Sequence, residues 1–142
     1  MSGTNSTFAN DLLKLIFNAT AIANIADNAA TAPITNIYVS LHTADPGNGN
    51  QTTSEAAYTS YARVAVARTS GGWTVSTNTV VPAATVSFPA ATGGSETETF
   101  AGIGKSVSGT GELFFSGAIS PTIAVSNGVT PQLTTSSTLT LT

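Results

Sequence analysis

Apolar side chains recur at Phe8, Leu12, Leu15 and Ile16, a spacing that lines one face of a helix, with Leu13 and Phe17 widening the stripe. Ser6 or Thr7 is placed to cap it, and Asp11 lies in or near the first turn, where a negative charge meets the positive end of the helix dipole. Asn18 to Ala32 is rich in Ala and Asn and reads either as more helix or as loop, until Pro33 ends it. A helix is therefore expected over about residues 7–27 and a β domain over about 34–142.

At Asn36 the period changes to two. Ile37, Val39 and Leu41 alternate with Tyr38, Ser40 and His42, the pattern of a strand with one face inward. Asp45-Pro46-Gly47-Asn48-Gly49-Asn50-Gln51 then reads as a loop, because Pro presets one turn dihedral while Gly and Asn tolerate positive φ. Further short strands are expected at 61–68, 73–76, 85–88, 97–103, 112–116, 123–125 and 133–142, with Gly, Pro, Asn or Ser in nearly every gap. Such spacing, without helical patterns between strands, predicts a mainly β fold: an antiparallel β-sandwich or barrel with one N-terminal α-helix. No internal repeat or linker interrupts the chain, so 1–142 reads as a single domain. Leu13, Phe17, Val39, Leu41, Val64, Val66, Phe88, Leu113 and Phe115 are expected to supply much of its core.

Composition narrows the functions such a fold can carry. Charged residues are 8% of the 142 and hydrophobic ones 41%, so the chain folds, and its surface must be covered largely by neutral hydroxyls and amides. Those groups cost less to desolvate than charges when another protein covers them, which suits assembly. Lys14, Arg63, Arg68 and Lys105 are the only cations against a net charge of −3. Four cations cannot build the basic stripe that drives nucleic-acid binding by counterion release, nor one for a membrane surface. Met1 to Asn5 is polar, and Asn10, Asp11 and Lys14 break the first apolar stretch, so no signal peptide is expected. The absence of cysteine removes disulfides, thiolate nucleophiles and Cys-based metal sites.

Few residue groupings carry chemistry. His42 is the single histidine and reads as a strand-end residue bonded to a neighbouring backbone or carboxylate group rather than as a catalytic base. Glu96 and Glu98 fall on one strand face, which is the residue pair a glycoside hydrolase needs, but a solvated edge is the plainer reading. Gly104-Lys105-Ser106 resembles the end of a phosphate-binding loop, yet Thr99 stands where that loop needs Gly. Gly102 and Gly104 lack the third glycine of a dinucleotide fingerprint, since Val107 follows. Asp45, Asn48, Asn50 and Glu55 offer oxygens of the type calcium accepts, without the EF-hand pattern, so a hydrogen-bonded turn is expected there. Trp73, Tyr58 and Tyr61 are candidate sugar-stacking platforms, although aromatics more often fill cores and interfaces. No catalytic, cofactor-binding or metal residue is assigned.

Several blocks read in order carry a resemblance across nearly the whole chain. They are residues 11–17 (DLLKLIF), 37–47 (IYVSLHTADPG), 61–68 (YARVAVAR), Phe88-Pro89, 100–104 (FAGIG), 113–117 (LFFSG) and 125–129 (VSNGV). Together they resemble a family of small bacteriophage proteins labelled as tail-fibre or virion proteins. The resemblance implies a virion component made in the bacterial host cytoplasm, with no catalytic residues to carry over; the sequons at Asn5, Asn18 and Asn50 then have no weight. The chain departs from typical fibres in lacking repeats, a long trimeric stalk pattern and a separate tip domain. The first functional expectation is therefore a non-enzymatic, homo-oligomeric accessory protein, as a trimer, that decorates or cements the capsid. A tail-fibre or collar component comes second and a carbohydrate-binding module third, with an enzyme last. The expected partners are other copies of itself and major capsid or tail proteins, without nucleic acid, membrane or cofactor.

Overall fold

The structure is a computed structural model that describes residues 6–22 and 33–141. The chain forms two compact units, one built from Met1–Asn36, Val66–Thr85 and Leu133–Thr142, the other from Ile37–Ala65 and Val86–Gln132.

The first unit holds the helix α1 (Ser6–Asn18) and an antiparallel hairpin of β3 (Trp73–Ser76) and β4 (Thr79–Pro82). The short strand β9 (Leu139–Thr140) adds to β4. The helix packs against β3 and β4. Its buried line is Ala9, Leu13 and Phe17, spaced i, i+4, i+8, while Leu12, Leu15 and Ile16 are half-buried. The apolar stripe is thus turned from the expected one toward Leu13 and Phe17, and the ring of Phe17 meets the hairpin's Trp73 edge-on at 4.8 Å. The side chain of Phe8 lies outside the described residues.

The helix stops at Asn18 instead of running to about 27. Ala19 turns left-handed at φ 53°, and the amide of Thr20 reaches back to the Lys14 carbonyl at 3.1 Å. Arg68 completes the stop: its Nε and Nη2 donate to the carbonyls of Ile16 (2.7 Å) and Leu15 (2.8 Å), acceptors a longer helix would need for its own amides. Residues 23–27 of the expected helix lie outside the described residues. The helix begins at Ser6, so the capping position before it lies there too, and Asp11 sits beyond the first turn, away from the dipole's positive end.

A sheet of order β2-β1-β6-β7, most of it in the second unit, is formed from β1 (Asn36–His42), β2 (Val64–Ala67), β6 (Glu96–Gly104) and β7 (Leu113–Val125). β1 runs antiparallel to β6, with Val39 opposite Ile103 and Leu41 opposite Ala101, and β6 runs antiparallel to β7. Ile37, Val39 and Leu41 are buried as expected; Ser40 and His42, on the other face, are buried as well, with the Thr53 carbonyl seated on the His42 ring. A two-stranded ribbon joins β5 (Val86–Ser87) to β8 (Gln132–Leu133).

Among the described residues, the mainly β, antiparallel class with one helix is what forms. The barrel alternative is not: β2 and β7 end the four-stranded sheet, and the three sheets are open. The expected strands at 112–116 and 123–125 are one strand, β7. Glu98 pairs with Ile123 and Phe100 with Ala118, so 119–122 bulges out opposite Thr99 and accommodates Pro121, which has no N–H to give the ladder. The expected 133–142 strand is instead the two short pieces β8 and β9, and β4 was not anticipated. Of the expected core, Leu13, Phe17, Val39, Leu41 and Phe88 are buried. Val64, Val66, Leu113 and Phe115 are only half-buried, since β2 and β7 are edge strands.

Candidate functional site

On the Ser40–His42 face of β1, the second unit buries a polar network. Burial holds the His42 imidazole below its ordinary value of 6.5, so the ring is neutral. Its Nδ1–H donates to the Thr53 carbonyl at 2.9 Å and Nε2 accepts from the Ser40 hydroxyl at 2.9 Å. Ser, His and an orienting acceptor therefore line up as in a hydrolase, but Ser40 and His42 are both 0% exposed. No substrate reaches them. Gly102 lies against this pair: a Cβ there would stand 2.6 Å from His42 Nε2 and 2.7 Å from Ser40 Oγ. Cβ atoms at Gly104 and Gly111 would strike Gln51. These glycines admit buried side chains rather than a phosphate.

Gln51 and Arg63 carry the network to the segment after β6. Gln51 Oε1 accepts from the Ser106 amide (2.8 Å) and its Nε2 donates to the Ser106 carbonyl (3.3 Å). Arg63 forms a two-pronged pair with Glu55, Nε to Oε1 at 2.6 Å and Nη2 to Oε2 at 2.8 Å, and also donates to the carbonyls of Ser106 and Gly109. Tyr61 donates to Glu55 and accepts from the Leu41 amide, and burial drives its phenol well above the usual range. The phosphate-loop look-alike Gly104-Lys105-Ser106 is thus a clamp point between loops.

Glu96 and Glu98 do share a face, as alternation predicts. Glu96 Oε1 accepts from the amides of Ala57 (2.8 Å) and Tyr58 (2.7 Å). Glu98 is 0% exposed, and neither of its oxygens meets a protein donor. Burial first, then the hydrogen bond and like charge of Glu96, push its carboxyl up to about 8, so at neutral pH it is protonated and donates to Glu96. Burial and the same two carboxyls raise the Tyr58 phenol to about 12. One glutamate is sealed from solvent, so this pair is not the open, solvated edge first read, nor a cleft that admits a sugar.

The remaining candidates are dispersed or occupied. Asp45 accepts from the Gly47 amide, Asn50 from Thr52, and Glu55 turns inward to Arg63, so these three side chains are each engaged separately. Among the described residues no group of three His, Asp or Glu side chains stands in metal-binding reach. Trp73 is buried in the first unit against Phe17; Tyr58 is buried in the second, where Tyr61 lies between Tyr58 and Phe88 at ring distances of 5.3 and 6.3 Å. None of the three is an exposed platform. Sequence reasoning missed Gln51 and gave Arg63 and Arg68 no place. The usable signal was rarity, since a chain this poor in charge seldom leaves an arginine idle.

What reaches the surface is β7. It has β6 on one side and, among the described residues, no strand on the other. None of its 13 residues is charged, and Ser116, Gly117 and Ala118 are consecutively exposed. Beside its N-terminal end, residues 47–49 and 113–116 line a shallow open cleft of about 260 Å³.

A family model described as podophage GP4 fiber I protein gp80 matches residues 4–142. The chain belongs to this family. It is therefore a bacteriophage fibre-family protein and a component of the virion. The fibre family accords with tail fibre, the second of the structural expectations, rather than with capsid decoration, the first. Comparison with curated proteins returns no match. No helix among the described residues is long and apolar enough to cross a membrane.

Proposed function

We propose that the chain is a non-enzymatic structural part of a phage tail fibre, working through contacts with copies of itself and with other virion proteins. The match of the fibre family to residues 4–142 carries this reading. Two features support it. Of the groups that imitate catalytic chemistry, Ser40, His42 and Glu98 are closed inside the fold, and Glu96 is held by the amides of Ala57 and Tyr58. The outer surface offers little charge, and interfaces built from hydroxyls and small apolar groups avoid burying unpaired ions. Decoration of the capsid would use the same neutral surface, but the family description favours the tail. Labelling of the protein on intact particles, followed by cryo-EM of the labelled region, is the test. Density at the tail or its fibres is expected; density confined to the capsid lattice would transfer the role to decoration, and absence from purified particles would defeat both.

A further inference from the structure

We propose that Asn48, in the turn after β1, is the residue whose side-chain amide this chain converts to a carboxylate, while the fold holds the chemically matching Asn127 back from the same reaction. This chemistry belongs to the purified chain and does not depend on the fibre reading above.

An asparagine followed by glycine reacts with its own backbone. The glycine nitrogen attacks the side-chain carbonyl carbon of the asparagine, and the new C–N bond closes a cyclic imide. The side-chain nitrogen leaves as ammonia, carrying the proton that the glycine nitrogen gives up. Water then opens the imide at either carbonyl, which leaves Asp or its β-linked isomer, and nothing is oxidised or reduced. Glycine is needed because a Cβ on the attacking residue crowds the approach. Only Asn48 and Asn127 stand before glycine in this chain. Both are exposed, as are Gly49 and Gly128, so water reaches both pairs. Local sequence alone ranks them equally.

The two attacking nitrogens differ in what holds them, because each must leave its hydrogen-bond acceptor before it can attack. Gly49 donates to the Pro46 carbonyl at 2.8 Å, a bond that closes a single turn. The bonds bracing that turn, from the Gly47 amide to Asp45 Oδ1 and from the Asn50 amide to Thr53 Oγ1, are exposed and stay within the same loop. Gly128 donates to the Ala91 carbonyl at 2.7 Å, and the Ala91 amide returns a bond to the Val129 carbonyl at 2.8 Å. Ala91 is 1% exposed. Freeing Gly128 therefore parts two distant segments tied reciprocally over a core residue, a larger opening than the flexing of one exposed turn. The product also changes its surroundings. Residues 47–49 line the open cleft beside 113–116, and a carboxylate at Asn48 brings a negative charge to a lining that has none.

Trypsin separates the two sites, because cleavage after Lys14, Arg63 and Lys105 puts Asn48 in peptide 15–63 and Asn127 in peptide 106–142. The full chain is incubated in mildly alkaline buffer, once folded and once in concentrated urea, and both digests are followed by mass spectrometry. In the folded chain Asn48 should convert at least about tenfold faster than Asn127, and in urea the two rates should agree within about threefold, since only the fold separates the sites. Asn48→Gln, at an exposed position, should remove the conversion from peptide 15–63 and so assign it among the asparagines there. Equal rates in the folded chain would overturn the proposal. So would an Asn48 that stays intact while the urea sample converts, a preference for Asn48 that persists undiminished in urea, or a conversion in peptide 15–63 that survives Asn48→Gln.

Discussion

Glu98 shows what a nearly uncharged chain does with the ionisable groups it keeps. A carboxyl with no protein donor, sealed beside Glu96, is tolerated because it stays protonated. Its folded value, about 8, lies above the ordinary 4.5, so the folded state holds a proton that the unfolded chain has released. Stability should therefore fall as pH rises across that window, by up to about 1.4 kcal/mol per pH unit, and level off above it. Glu98→Gln keeps the shape and removes the titration. Urea denaturation between about pH 6.5 and 8, above the His42 transition, should give a flat profile for the variant where the parent declines; parallel profiles would show that Glu98 is ionised in the fold. His42 acts in the opposite direction, since burial lowers its value: below about pH 6.5 the unfolded imidazole binds the proton first, and stability falls with acid. Arg63 is the costliest residue to lose. Arg63→Ala leaves the half-buried Glu55 without its cation, with Tyr61 still donating to it, and frees two loop carbonyls, so a loss of up to about 3–5 kcal/mol is expected in the same denaturation assay.

Single side chains also decide where elements begin and end. Arg68 holds the C-terminal carbonyls of α1 and, through Nη1, the carbonyl of Ile34 at 2.8 Å. Arg68→Ala should lower stability by about 1–3 kcal/mol and reduce the helical part of the far-UV spectrum, whereas an unchanged spectrum would mean that Ala19 and the Thr20 amide suffice. Strand position sets the worth of a leucine. Leu41 on the inner strand β1 is 0% exposed, and Leu41→Ala should cost about 2–5 kcal/mol. Leu113→Ala, the same chemical change on the edge strand β7, should cost clearly less, because that side chain is only half-buried. Equal losses would place Leu113 in the core.

Across the whole molecule, the chain passes between its two units at 36–37, 65–66, 85–86 and 132–133. Neither unit is a continuous segment that could be excised and folded. We therefore propose that the chain behaves as a single domain, and calorimetry should show one transition whose van't Hoff and calorimetric enthalpies agree. Two resolved transitions would mean that the units are thermodynamically separate despite the crossings. The scarcity of charge acts at this scale too, since it leaves little long-range repulsion toward other proteins of the particle.

The sequence by itself determined the class and much of the element pattern. Alternation at Ile37, Val39 and Leu41 depends on the pleat of a strand, helical spacing around Leu13 and Phe17 depends on the turn of a helix, and both periods are local. It also determined the neutral surface, and the ordered blocks from residue 11 to residue 129 pointed to the family later matched over 4–142. Only tertiary structure decided which strands lie inside and which lie at an edge, because a half-buried and a buried valine look alike in sequence. It likewise decided that 113–125 is one strand, since Gly117 and Pro121 break a pattern locally while a bulge opposite Thr99 repairs it across the ladder. The buried network was equally out of reach: Gln51 and Ser106, or Arg63 and Gly109, meet across gaps of tens of residues, and no period encodes such a meeting.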